Sequence, residues 1–168
     1  MKKKFSFKDY ILMGLLISLG MVLQLVDNLI NFTGVPGGKL GLANIVSLLN
    51  IFIFGGANAL VISTIRALLG SLMFSSASSL PYAVSGAFFS TAVMVFIKKH
   101  FYPKVSEVGI SIIGAAVHNY AQLMVAAFVF QNIRIFSYAS VLTVISIIAG
   151  FFTGLQVKYL NKRILRKE

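Results

Sequence analysis

Arg66, His118, Asn119 and Gln122 bring hydrogen-bonding chemistry into stretches of sequence that are otherwise almost wholly apolar. Arginine carries a rigid fork of N–H donors on a permanent positive charge, while histidine and the carboxamides offer both donors and acceptors. His118 and Gln122 are four residues apart, so on a helix they share a face. Such a cluster either reads the polar edge of a ligand or satisfies itself between packed helices. Arg66 demands an anion or water, because an arginine in hydrocarbon costs about 3 kcal/mol or more. Asp27, the one acid at comparable depth, could supply that anion as a structural partner, and so could an anionic part of a ligand. Further upstream, Gln24, Asp27, Asn28 and Asn31 recur at spacings of three and four, making a polar stripe on the outer third of one helix. Asn44 and the deeper Asn50 follow on the next apolar run, and Lys39 stands before it, where a cation would attract an anionic solute. The candidate ligand contacts are therefore Gln24, Asn28, Lys39, Asn44, Arg66, His118, Asn119 and Gln122. Phe32, Tyr82, Tyr120, Phe128, Phe136 and Tyr138 could stack on a planar ligand or belong to an interfacial belt.

The same inventory lacks the parts of most enzymes. Gly37-Gly38-Lys39 runs into Leu40 rather than Ser or Thr, so it is not a phosphate-cradling loop. The acids are Asp9, Asp27, Glu107 and Glu168, too far apart in sequence to form a magnesium-binding carboxylate cluster. With no cysteine there is no thiolate metal site and no cysteine nucleophile. No catalytic residue, metal or resident cofactor is expected.

The elements that must position these groups are set by composition. The 168 residues are 58% hydrophobic and 11% charged, too few charges to coat a soluble globule. A bilayer core about 30 Å thick needs about 20 helical residues per crossing, since each backbone amide must be satisfied within its own segment. Six stretches qualify, over residues 9–31, 40–55, 56–74, 82–97, 106–130 and 137–159, the second and fourth being short. Turn-forming residues separate them: the glycine- and proline-rich 32–38, Gly55-Gly56, and the serine-rich segment ending at Pro81. The expectation is an all-α membrane protein, a single integral domain over 1–168 built as a bundle of six transmembrane helices.

Charge orients the bundle. Twelve of the 15 Lys and Arg residues fall in the N-terminus, the connection between the fourth and fifth helices, and the C-terminus. Cytoplasmic segments retain such residues, which puts both termini in the cytoplasm and residues 32–39 outside the cell membrane. The net charge of +11 is thereby spent in short clusters between apolar runs, not on a folded basic patch, which argues against a nucleic-acid partner. The basic start followed by an apolar stretch imitates a signal peptide, but its length of about twenty residues fits a retained first helix. Two pairs of small residues four apart, Gly14/Ser18 and Gly150/Gly154, permit close backbone approach, either inside the bundle or against a partner subunit.

Three stretches together resemble one family: Gly38-Lys-Leu-Gly-Leu-Ala-Asn-Ile-Val46, Arg66-Ala-Leu-Leu-Gly-Ser-Leu72 and Gly114-Ala-Ala-Val-His-Asn-Tyr-Ala-Gln-Leu123. They are similar to the Gx transporter family, often labelled heptaprenyl diphosphate synthase component I, which groups with the substrate-binding S-components of energy-coupling factor (ECF) transporters. The resemblance implies six helices with cytoplasmic termini and a vitamin-like solute held near the outer face under the 32–39 loop as a lid. It also implies docking on a membrane scaffold subunit powered by two ATPases, with Gly14 and Ser18 at the docking face. Some members resemble a membrane protein associated with flavin handling, which makes riboflavin, FMN or FAD the first ligand to consider. Thiamine-related and isoprenoid-precursor solutes suit the same groups. The alternative is a membrane scaffold or assembly factor, or an isoprenoid-associated membrane protein, without activity of its own.

Overall fold

The computed structural model describes residues 5–30 and 41–164. They form six α-helices: α1 (Phe7–Ile30), α2 (Ala43–Phe54), α3 (Gly56–Phe74), α4 (Leu80–Phe101), α5 (Glu107–Val129) and α6 (Ala139–Ile164). Short 3-10 turns at Ala77–Ser79 and Ile133–Tyr138 precede α4 and α6. No strand occurs among the described residues. Every helix except α2 lies in a span of 19 to 31 residues that is long and apolar enough to cross a bilayer. The chain is an all-α, multi-pass membrane protein.

The helix ends follow local chemistry. The Asp9 carboxylate accepts a 2.7 Å hydrogen bond from the Ser6 N–H, satisfying a donor that the first turn of α1 leaves open. Gly55, at φ +82°, is both the end of α2 and the start of α3, a left-handed conformation that lets the two helices join without a loop. Pro81 occupies the first turn of α4, where no amide hydrogen is missed. Ser106 caps α5 by accepting from the Gly109 N–H. α4 runs on to Phe101, past the expected stop at 97, because Lys98, Lys99 and His100 suit the negative end of a helix rather than interrupting it.

One end of the bundle gathers both chain ends. Phe5 packs edge-on against Phe54 there, and Glu107 accepts from the Asn161 amide at 2.8 Å. This end is called proximal and the opposite one distal. At 12 residues α2 spans only about 18 Å, well short of a bilayer. It survives because ten of those residues are buried among its neighbours. Lys98 of α4 donates a 2.7 Å hydrogen bond to the Ile51 carbonyl and lies 4.3 Å over the Phe52 ring, so an otherwise orphaned carbonyl in the last turn is satisfied from another helix.

Small and polar residues stitch the remaining helices together. Gly150 and Gly154 bring α6 against the backbone of α5: a Cβ on them would stand 2.5 Å from the Ile112 Cα and 2.6 Å from the Val108 Cα. The Ser111 and Thr153 hydroxyls meet across that seam at 2.7 Å. Ser90 donates to the Gly114 carbonyl between α4 and α5, and Thr91 donates to Ser63 between α4 and α3. Such contacts replace the hydrophobic effect, which gives little drive between helices already in lipid. α1 lies at the edge, with Leu15, Leu19, Val22 and Leu29 facing outward and a stripe of Leu16, Gly20, Gln24 and Asp27 buried.

Candidate ligand-binding site

That stripe changes character along its length: apolar at Leu16, bare at Gly20, polar at Gln24 and Asp27. The polar part meets polar side chains from the other helices in the distal half of the bundle. Gln24 and Asp27 of α1, Asn44 of α2, Arg66 of α3, Ala83 of α4, His118, Asn119 and Gln122 of α5, and Ser146 of α6 all line one cavity of about 50 Å³. All six helices contribute. The volume is enough for about three or four waters, or for the edge of a ring.

Within it the polar groups hold one another in definite orientations. The Arg66 guanidinium, 2% exposed, donates through Nη1 to Gln24 Oε1 at 2.9 Å, and its Nε has no hydrogen-bond partner among the described residues. Asp27, 5% exposed, lines the same cavity, and its charge acts on Arg66. One Asp27 oxygen accepts from the Leu42 N–H at 2.8 Å, so the carboxylate also fixes the start of α2 and with it Asn44. Asn119 donates through Nδ2 to Ser146 Oγ at 2.8 Å, and Ser146 in turn donates to the Leu142 carbonyl. Gln122 Nε2 lies 3.1 Å from His118 Nε2.

Three glycines make this arrangement possible. A Cβ at Gly20 would strike the aliphatic stem of Arg66. One at Gly70 would stand 2.7 Å from Gln24 Oε1, and one at Gly86 would stand 2.9 Å from the His118 ring. The polar side chains lie flat across neighbouring helices, and each needs a helix without a side chain beneath it.

A second chamber of about 360 Å³ adjoins the first, sharing Gln24, Ala83, Asn119 and Gln122 as lining. Its other walls are mostly apolar and aromatic, including Tyr82, Phe130, Ile135, Tyr138 and Leu142, with Ser71, Ser75 and Ser79 at the distal helix ends. The two chambers together are the size of a pocket for a small organic ligand. The inner one offers hydrogen bonds and the outer one flat apolar surface.

Of the eight residues singled out as ligand contacts, Gln24, Asn44, Arg66, His118, Asn119 and Gln122 are gathered around the inner chamber. Asn28 lies elsewhere, its amide reaching the Phe74 carbonyl at 3.5 Å and Ser75 Oγ at 3.3 Å, where it ties α1 to the end of α3. Lys39, Asn31 and the 32–39 segment lie outside the described residues. Arg66 donates to Gln24, and Asp27, which the sequence left beside a ligand anion as an alternative partner, lines the same cavity. The seats at Gly20, Gly70 and Gly86 and the orienting Ser146 were not anticipated. Of the aromatics, Tyr82 and Tyr138 line the outer chamber, whereas Tyr120 and Phe128 line an apolar groove on the lipid-facing side of α4 and α5. Of the two small-residue pairs, Gly150/Gly154 is filled by α5, while among the described residues nothing lies within 4 Å of a Cβ placed at Gly14, and Ser18 bonds to its own helix through the Gly14 carbonyl.

Among the described residues no group of three or more His, Cys, Asp or Glu side chains is placed to hold a metal ion. No curated protein and no solved structure matches the chain. The family described as heptaprenyl diphosphate synthase component I matches residues 16–160, which include every residue that lines the cavity. The chain therefore belongs to the heptaprenyl diphosphate synthase component I family.

Proposed function

We propose that this protein is the solute-binding membrane subunit of an ATP-driven transporter of the ECF type, serving a small vitamin- or cofactor-like molecule. The observation that carries the reading is the convergence of costly polar side chains from five of the six helices on one two-part cavity. Hydrophilic groups needed only for packing would be distributed along the helix seams, as Ser111/Thr153 and Ser90 are. The Lys and Arg distribution supports cytoplasmic chain ends, an orientation in which the distal cavity faces the outside of the cell membrane. The chain has no phosphate-binding loop, so ATP must be hydrolysed by partner subunits. The open Gly14/Ser18 face on α1 suits docking on a membrane scaffold that carries those ATPases. A flavin is the first ligand to test, because its ring would occupy the aromatic outer chamber while its polar edge met the carboxamides.

The family description also supports a second reading, a membrane component that assists isoprenoid synthesis. Prenyl transfer itself does not fit this chain: it runs on carboxylate-held magnesium, and Asp9, Asp27 and Glu107 sit at separate places in the fold, two of them engaged at the proximal end. The experiment that separates the readings is purification of the full chain from membranes, solvent extraction of any retained small molecule, and identification by mass spectrometry. A solute recovered from wild type and lost from a folded Asn119→Leu variant supports the binding subunit. No retained solute, together with no thermal stabilisation by flavins, thiamine derivatives or prenyl diphosphates, sinks it. ATP-driven flux by the lone chain in vesicles would equally overturn the assignment.

A further inference from the structure

The cavity's hydrogen-bonding pattern restricts what its deep end can accept, an inference that rests on the solute-binding reading above. Asn119 holds its amide nitrogen on Ser146, and Gln122 holds its nitrogen on His118. The carbonyl oxygens Asn119 Oδ1 and Gln122 Oε1 make no hydrogen bond within the described chain, and neither is a sealed, unsatisfied atom. Both residues line the inner chamber and the wall it shares with the outer one, so these acceptors call for donors on a ligand held there. Across the same chamber Gln24 commits its oxygen to Arg66, which leaves its N–H groups as donors. The chamber thus presents acceptors from α5 and donors from α1.

A phosphate or carboxylate has acceptors only. It would press its negative oxygens against Asn119 Oδ1 and Gln122 Oε1, and it would enter a chamber that the Asp27 carboxyl also lines. A flat amide- or imide-like edge, with an N–H between or beside carbonyl oxygens, satisfies both sides at once. It also fits a chamber of about 50 Å³ that opens onto wider apolar walls.

We infer that the inner chamber is a recognition site for the uncharged, donor-and-acceptor edge of a planar heterocycle, whose ring body lies in the outer chamber between Tyr82, Tyr138 and Phe130. Any phosphate the solute carries then sits at the distal mouth, not at Arg66.

Lumiflavin and 3-methyllumiflavin test this directly, because they share one ring and differ by a single imide N–H. Binding to the full chain in detergent or nanodiscs is read by fluorescence quenching, with inorganic pyrophosphate as the competitor. Lumiflavin is expected to bind, 3-methyllumiflavin to bind about tenfold or more weakly because a buried acceptor loses its donor, and millimolar pyrophosphate to displace neither. In Gln122→Leu, checked for an unchanged melting temperature, the preference for the N–H form should shrink toward equality; if that variant does not fold, the ligand pair on wild type decides alone. Equal binding of the two flavins, stabilisation of the protein by pyrophosphate alone, or no binding of lumiflavin each overturns the inference. Mass spectrometry of the co-purified solute then separates the two failures. A retained solute with an anionic head leaves the transport reading standing without this one, whereas an empty protein that binds nothing removes both.

Discussion

Two pairs of small residues, written alike in the sequence, are used in opposite ways. Gly150 and Gly154 on α6 are buried against the backbone of α5, with no room for even a methyl group. Gly14 and Ser18 on α1 are exposed, with open space where a Cβ at Gly14 would go. Between these extremes stand Gly20, Gly70 and Gly86, which make room not for a helix but for Arg66, Gln24 and His118. A missing side chain in a membrane helix therefore has three uses here: to let a helix approach, to seat a polar group, or to leave a face bare. The local sequence is the same in each case, and the neighbouring helix decides.

The difference sets an order of sensitivity. Gly154→Leu should be the most damaging, since the Val108 backbone beneath it cannot yield; a loss above about 3 kcal/mol is expected, seen as aggregation on size exclusion or failure to express. A folded, wild-type-like Gly154→Leu would erase the distinction. Gly86→Val comes next. It collides with a side chain that can rotate, so about 1–3 kcal/mol of stability should go, and ligand binding should fail because the His118–Gln122 pair is displaced into the chamber. Gln24→Leu should cost about 1–3 kcal/mol by stranding the Arg66 guanidinium, measured by thermal melting, and a second change, Arg66→Met, should recover part of it. Gly14→Leu should be the mildest, changing stability by less than about 0.5 kcal/mol, yet it should abolish co-purification with a scaffold subunit if the bare face is where that subunit sits. Loss of stability without loss of partner would assign Gly14 to the Gly154 class.

The bundle was largely readable in advance because its cause is in the composition: long apolar runs have one stable form in lipid, and turn residues mark their limits. The difficulties came where one helix is completed by another. α2 is too short to cross alone; it is buried among its neighbours, and its Ile51 carbonyl is satisfied by Lys98, forty-seven positions away in the chain. The site divides along the same line. Arg66, His118, Asn119 and Gln122 were legible because polar groups deep in apolar helices need a reason. Asn28 near a helix end needed none, and it serves as a tie to α3. The seat at Gly20 carried a faint signal, lying four residues before Gln24 on one stripe. Gly86 carried none, since nothing in the sequence says that α4 passes beneath His118. Ser146 was one hydroxyl among many until Asn119 was found bonded to it.

α1 unites features that elsewhere belong to different helices. Its proximal half carries the bare face at Gly14 and Ser18, and about 14 Å further along the same rod stand Gln24 and Asp27, which hold Arg66 and the first turn of α2. A rigid cylinder with a grip at each end is a lever. Tilting or turning it at one end must tug on the guanidinium and on the Leu42 amide at the other, so on the transport reading a partner that docked on α1 from the membrane side would be mechanically in touch with the solute.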